Sequence, residues 1–269
     1  MFSGENAIDP DLISDYDAAR AHLVRREQRL KGSCEWLFAT KEYKQWNGGR
    51  SSPLLVCAGP VGCGKSIIAS AVIDRLEEVA VESTTITYYV DANVNKPTTA
   101  VDIIRAFVKH LVLSRQSSRS PIQSDLRKTI DATFAELRRP PSLISTTQIL
   151  LGVIRDAPVS VVVDGLDAMD EHEILSFLHF LRDLMKCTKM SGSRLRLALF
   201  CRGTLGRNIS LEVVPGTTVL RIDVVHLRQD IYAYIGHEVE HQQLARPITT
   251  NRELLEEIKE ILGQNSKRI

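Results

Sequence analysis

The sequence predicts an α/β protein with three layers, α/β/α, around a mainly parallel five-stranded sheet, and a small helical extension at the C-terminus. Three observations carry that prediction. From Pro53 onward, short apolar runs alternate with longer amphipathic stretches, the pattern of successive βαβ units. The apolar run Leu54–Ala58 leads directly into a glycine-rich segment and then into the helical pattern IIASAVIDRL. A second apolar run, Val159–Val163, ends abruptly in Asp164, as expected for a buried strand that delivers a carboxylate to the edge of the sheet.

In chain order, strands are predicted at Leu54–Ala58, Thr85–Val90, Val159–Asp164, Leu195–Cys201 and Thr218–Ile222. Helices are predicted near Lys65–Glu78, Ala100–Leu113, Ser124–Leu137, Thr146–Arg155 and Glu171–Met185. Two more, near Arg228–Gln243 and Arg252–Leu262, form the C-terminal extension. A basic helix over Ala18–Leu30 precedes the first strand, and Asn47–Pro53 reads as a turn. Gln116–Pro121, Arg138–Ser142 and Lys189–Ser193 are Ser-, Pro- or Gly-rich breaks, expected as surface loops. The expected organisation is a polar and helical lead-in over 1–30, a nucleotide-binding core over 31–225, and C-terminal helices over 226–269 that begin a truncated helical region.

The bulk composition narrows the function. With 269 residues, 43% hydrophobic and 25% charged, the chain can bury a core without disulfide staples. A net charge of +1 gives no reason to expect a nucleic-acid or anionic-membrane partner. The five cysteines (Cys34, Cys57, Cys63, Cys187 and Cys201) are odd in number and form no CxxC pair. They read as buried, reduced thiols in a cytoplasmic protein. The acidic N-terminus lacks the apolar stretch of a signal peptide, and no apolar run approaches the ~20 residues of a membrane span.

The chemistry is concentrated in Gly59-Pro60-Val61-Gly62-Cys63-Gly64-Lys65-Ser66, which is G-x-x-x-x-G-K-S between a strand and a helix. Glycines let the backbone turn successive N–H groups inward as an anion nest, closed by the positive end of the helix that continues through Ile67. Lys65 adds a point charge toward the β- and γ-phosphates, and Ser66 offers a hydroxyl to a magnesium ion. Asp164 is expected to hold the same Mg2+, through water. Asp167, one short turn later, is placed to orient a water or a switch loop. Arg202, after the apolar run Leu197–Cys201, is expected at the same edge, facing the γ-phosphate. Trp36 and Trp46 are considered as neighbours of the base, although core packing is the commoner role of such residues.

These pieces, in this order, resemble the NACHT branch of the STAND P-loop NTPases, above all fungal NACHT proteins related to heterokaryon-incompatibility and nephrocystin-like sequences. Gly32-Ser33-Cys34-Glu35-Trp36-Leu37 looks like that group's "GTCEWLL" lead-in, followed by Tyr43 and Trp46. The phosphate loop comes next, then Tyr88-Tyr89-Val90-Asp91 and Val163-Asp164-Gly165-Leu166-Asp167. Cys201-Arg202 resembles the "SSR" sensor strand end, and Asp230–Ile235 the "DI..YI" helix. The resemblance covers roughly Leu30 to the C-terminus. It implies a signalling switch in which nucleotide binding and hydrolysis control self-oligomerisation and attached protein partners.

Two departures modify that expectation. The family usually reads D-G-L-D-E, but Ala168 stands at the glutamate position, so hydrolysis is expected to be slow or impaired. The chain also ends at Ile269 without the winged-helix and repeat regions the family generally carries, which points to a truncated product, a fragment or a stand-alone core. ATP is favoured over GTP as ligand. Asn95-Lys96-Pro97-Thr98 resembles a guanine-reading motif only superficially, with Thr98 at the aspartate position. One alternative is a non-catalytic interaction module that holds nucleotide as a structural ligand. A P-loop small-molecule kinase is less favoured, since only Arg138 and Arg139 suggest a lid and no acceptor site is evident.

Overall fold

A computed structural model of the chain describes residues 13–48, 54–79, 83–91, 97–117, 147–148, 150–152, 154, 158–191, 194–203, 216–245, 249 and 251–265. Helix α1 (Ala18–Gln28) and two short helices, α2 (Glu35–Ala39) and α3 (Lys41–Asn47), precede the sheet. Then come β1 (Leu54–Ala58), α4 (Lys65–Val79), β2 (Thr84–Tyr89) and α5 (Ala100–Ser117). They are followed by β3 (Val159–Asp164), a 3-10 turn (Leu166–Ala168), α6 (Glu171–Ser191), β4 (Leu195–Cys201) and β5 (Thr217–Arg221). Helices α7 (Val224–Ala245) and α8 (Arg252–Asn265) complete the order.

The sheet runs β2-β3-β4-β1-β5, and every pairing is parallel. Strands β1 and β3 are buried at every position, which is why their sequences are continuous apolar runs rather than alternating ones. Successive residues of β1 face opposite layers. Leu54 and Val56 pack with Ile103, Phe107 and Leu178 of α5 and α6. Leu55 and Cys57 pack instead with Ile68 and Val72 of α4 and with Leu37, Trp46 and Leu227 of α2, α3 and α7. Burial spaced at helical period along α4 (Ile68, Val72, Ile73, Leu76) fits one face of that helix to the sheet.

The free edge of β2 is covered by the lead-in. The Tyr89 N–H donates to the Tyr16 hydroxyl at 2.7 Å, Tyr16 stacks on Tyr88 at 4.1 Å, and α1 packs against α4. An edge N–H that could recruit a foreign strand is thereby satisfied internally. Asp17 starts α1 by accepting from the Arg20 N–H at 2.9 Å.

Several predicted boundaries shift. Helix α5 continues to Ser117, past the expected break at Gln116, and α6 to Ser191, past the one at Lys189. Helix α7 begins at Val224 rather than Arg228, because the Asp223 carboxylate accepts from the His226 N–H at 3.0 Å and caps it. The helix expected at 124–137, the loop at 138–142, and Arg138 and Arg139 lie outside the described residues. Of the helix expected at 146–155, residues 147–148, 150–152 and 154 are helical. Cys34, Cys57, Cys63 and Cys201 are buried free thiols, whereas Cys187 is exposed on α6, against the expectation of burial. Among the described residues no helix is long and apolar enough to cross a membrane.

Candidate functional site

The carboxyl ends of all five strands meet in one line. Hydrogen bonds between strands continue beyond the strand ends: Gly59 N–H to Cys201 O at 3.2 Å, Gly165 N–H to Phe200 O at 2.9 Å, Ile222 N–H to Ala58 O at 2.8 Å and Val90 N–H to Asp164 O at 2.8 Å. Gly59, Asp164, Arg202 and Ile222 therefore share the edge at which open parallel sheets bind ligands. Strand β4 lies between β1 and β3. The carboxylate strand is thus separated from the phosphate-loop strand by β4, and the site spans three strands.

The loop has the backbone it needs. Gly62 and Gly64 hold φ of 77° and 81°, a region costly for other residues. A Cβ on Gly64 would meet no atom within 4 Å, so the positive φ and not crowding is what favours glycine there. Gly59 answers to a different constraint, since a Cβ there would meet Cys63 Sγ at 2.7 Å and Ile222 Cβ at 3.1 Å. Pro60, Val61 and Gly62 are exposed, Cys63 is buried, and Gly64 to Ile67 are intermediate. The Ile68 N–H bonds to Gly64 O at 2.9 Å, so α4 begins at the mouth of the loop and directs its positive end into it. The Lys65 ammonium rests on the carbonyls of Pro60 (2.6 Å) and Gly59 (3.1 Å), with Cys63 Sγ at 3.9 Å.

The first residue of that helix after Lys65 meets the acidic strand. Ser66 Oγ donates to Asp164 Oδ2 at 2.5 Å, from opposite sides of β4. Asp164 is only 5% exposed, and burial raises its pKa against the opposing pull of Ser66, Lys65 and Arg25. A buried carboxylate whose charge is disfavoured, beside a hydroxyl, is a set of hard oxygen donors suited to Mg2+. The residues fit the metal and phosphate ligands that the loop implies.

Asp167 and Arg202 reach the same edge but engage each other. Arg202 Nε pairs with Asp167 Oδ2 at 2.7 Å, and the Arg202 N–H donates to Asp167 Oδ1 at 2.9 Å. Each carboxylate oxygen accepts one bond from Arg202, so Asp167 clamps the end of β4. The adjacent Cys201 thiol is pushed up to about 12 by burial and is inert.

Three features escaped sequence reasoning. Gly165 has φ of 84°, and a Cβ there would lie 2.9 Å from Val90 O, so the glycine after Asp164 is a steric requirement. The Asp-Gly pair was the available signal. Asp230 of α7 accepts from the Cys34 N–H at 2.9 Å and from Trp36 Nε1 at 3.1 Å, tying the lead-in to the C-terminal helices. No local pattern links positions so far apart. Trp36 also stacks on His226 at 4.9 Å, while Trp46 is fully buried and cannot border a base. The third is Arg25 of α1, whose guanidinium lies 4.8 Å over the Tyr89 ring.

The sequence profile of the nephrocystin 3 N-terminal family matches residues 32–202. The chain belongs to that family. It is a NACHT-like P-loop NTPase domain by family and fold. It is 21% identical over 240 residues to the vegetative incompatibility protein HET-E-1 of Podospora anserina, an alignment that covers 88% of this chain and 17% of that protein. Solved structures with a similar outline include the Walker-type ATPase PABY2304 of Pyrococcus abyssi (TM-score 0.48, 15% identity, 94% of this chain and 68% of that one). Cdc6p of Pyrobaculum aerophilum is another (TM-score 0.47, 14% identity, 85% and 52%).

Proposed function

We propose that this domain is a nucleotide-dependent switch of the STAND/NACHT type that binds ATP in preference to GTP, together with Mg2+. The observation that carries the reading is the Ser66–Asp164 contact at 2.5 Å, made beside Lys65 at the loop mouth. In this reading Gly59 to Ile67 hold the phosphates through backbone N–H groups and the Lys65 ammonium. A Mg2+ ion held by Ser66 and Asp164 would neutralise charge on the β- and γ-oxygens. Hydrolysis is slow or impaired, because Ala168 offers no carboxylate to an attacking water and Asp167 is occupied by Arg202.

The kinship with HET-E-1 supports a role in which the nucleotide state governs self-association and protein partners, in a chain spanning 17% of that relative's length. The buried free thiols Cys34, Cys57, Cys63 and Cys201 suit a reducing compartment, the cytoplasm.

The test is thermal melting with Mg-ATP, Mg-ADP and Mg-GTP on the wild type and Lys65→Ala. A ligand at ~100 times its dissociation constant adds about 2.7 kcal/mol. At this size that raises Tm by roughly 5–10 °C. The shift should vanish in Lys65→Ala, and a wild-type protein unmoved by all three nucleotides refutes the proposal.

Ala168 also favours a second reading, an interaction module that holds nucleotide without hydrolysing it. Phosphate release above that of an Asp164→Ala control excludes this alternative.

A further inference from the structure

We infer that Arg25, on the helix ahead of the family-matched segment, is a third phosphate-facing cation of the site and discriminates tri- from diphosphate. The inference rests on the nucleotide-binding reading above and adds a residue to it. Helix α1 runs alongside α4, with Arg29 reaching Ser70 and Asp74 and His22 reaching Asp74 at 2.9 Å. Ser70 is one turn from Ser66, and Tyr16 and His22 both reach Tyr89 at the carboxyl end of β2, so α1 lies beside the nucleotide edge.

Arg25 falls between these anchors. Its guanidinium lies over Tyr89, the β2 residue in register with Asp164 on β3, so one aromatic ring separates it from the buried carboxylate. Arg25 is among the charges that act on Asp164.

The charge balance at this edge sets Arg25 apart from Arg202, Arg26 and Arg29. The Arg202 guanidinium is paired with Asp167 Oδ2. Arg26 and Arg29 share Asp74. Arg25 is half-buried, and its one hydrogen bond is to the Ala21 carbonyl of its own helix at 3.1 Å, with no acidic partner among the described residues. A guanidinium partly withdrawn from water and lacking a carboxylate is suited to a phosphate oxygen, which it can engage through its planar fork. Lys65 serves the inner phosphates, and Arg25 approaches from the β2 side, beyond Asp164, where the terminal phosphate and its metal would lie. Helix α1 thereby becomes a strap whose position registers whether that phosphate is present.

The experiment measures ATP and ADP affinities, with Mg2+, for the wild type, Arg25→Ala, Arg25→Met, Arg25→Lys and the exposed neighbour Arg26→Ala. Loss of one charge-assisted contact predicts that Arg25→Ala and Arg25→Met weaken ATP by about tenfold to a hundredfold. ADP should weaken by less than about threefold, Arg25→Lys should recover part of the loss, and Arg26→Ala should match the wild type. Arg25→Met keeps an unbranched chain against Tyr89, so it decides the matter if Arg25→Ala melts early. Equal weakening of ATP and ADP, or none, in a folded Arg25→Met protein overturns the assignment and leaves nucleotide binding intact. A wild-type protein that binds neither nucleotide overturns both proposals.

Discussion

Replacing Gly165 by alanine isolates the close approach that seats Asp164, because the structure supplies its own control. Gly165 and Gly32 share the same φ, 84°, but differ in surroundings. A Cβ at Gly32 meets nothing within 4 Å, whereas at Gly165 it meets the backbone oxygen of Val90 at 2.9 Å. Gly32→Ala therefore carries only the cost of a left-handed L-residue, about 1–2 kcal/mol. Gly165→Ala adds a backbone collision, worth about 1–3 kcal/mol more when neighbours must shift. At about 2–4 °C per kcal/mol, Gly32→Ala should lower Tm by roughly 2–8 °C and Gly165→Ala by about twice as much. Val90 also donates its N–H to Asp164 O at 2.8 Å, so the collision should displace the carboxylate and weaken Mg-ATP binding as well. Gly64, at φ 81° with open space around its Cβ, completes the set. Gly64→Ala should melt like Gly32→Ala yet weaken nucleotide binding, because the strained φ lies within the loop whose N–H groups must face the phosphates. Thermal melting of the three proteins with and without Mg-ATP reads all of this. Equal stability losses for Gly32→Ala and Gly165→Ala would falsify the contact with Val90.

Two further outcomes follow from the site and its anchors. Burial holds the Asp164 pKa above its ordinary value, so protonation favours the folded state and ionisation disfavours it. With metal chelated, the stability contributed by this group is full below its unfolded pKa of 3.8 and is lost as pH rises through the raised folded value. Asp164→Asn should then melt higher than the wild type near pH 7, with the gain shrinking toward pH 4. A gain that is independent of pH contradicts this. Asp230→Ala removes the acceptor of Cys34 N–H and Trp36 Nε1, two bonds to a carboxylate worth about 1.5–3 kcal/mol each when well shielded and less in this half-buried place. Limited proteolysis should then cut first between α1 and β1, and an unchanged cleavage pattern argues against the tie.

Much of the fold was legible in the sequence because its signals are local. A strand covered on both faces must be apolar throughout, so LLVCA and VSVVVD announced themselves. The phosphate loop was legible for the same reason, since its glycines, lysine and serine act through the backbone of a single turn and the helix that follows it. Helix ends were less legible. The continuation of α5 to Ser117 and of α6 to Ser191 overrode Ser-, Gly- and Lys-containing stretches whose propensities are weak.

The sequence by itself determined the chemistry available: a nest of backbone donors, an ammonium, a hydroxyl, and a carboxylate at a strand end. Only the tertiary structure decided how these groups share their charges. Tertiary packing set Ser66 against Asp164, folded Asp167 onto Arg202, and left Arg25 of a distant helix without a counter-ion among the described residues. The physical reason is that electrostatic pairing depends on distance through space, and neighbours 98 or 35 residues apart leave no trace in local pattern.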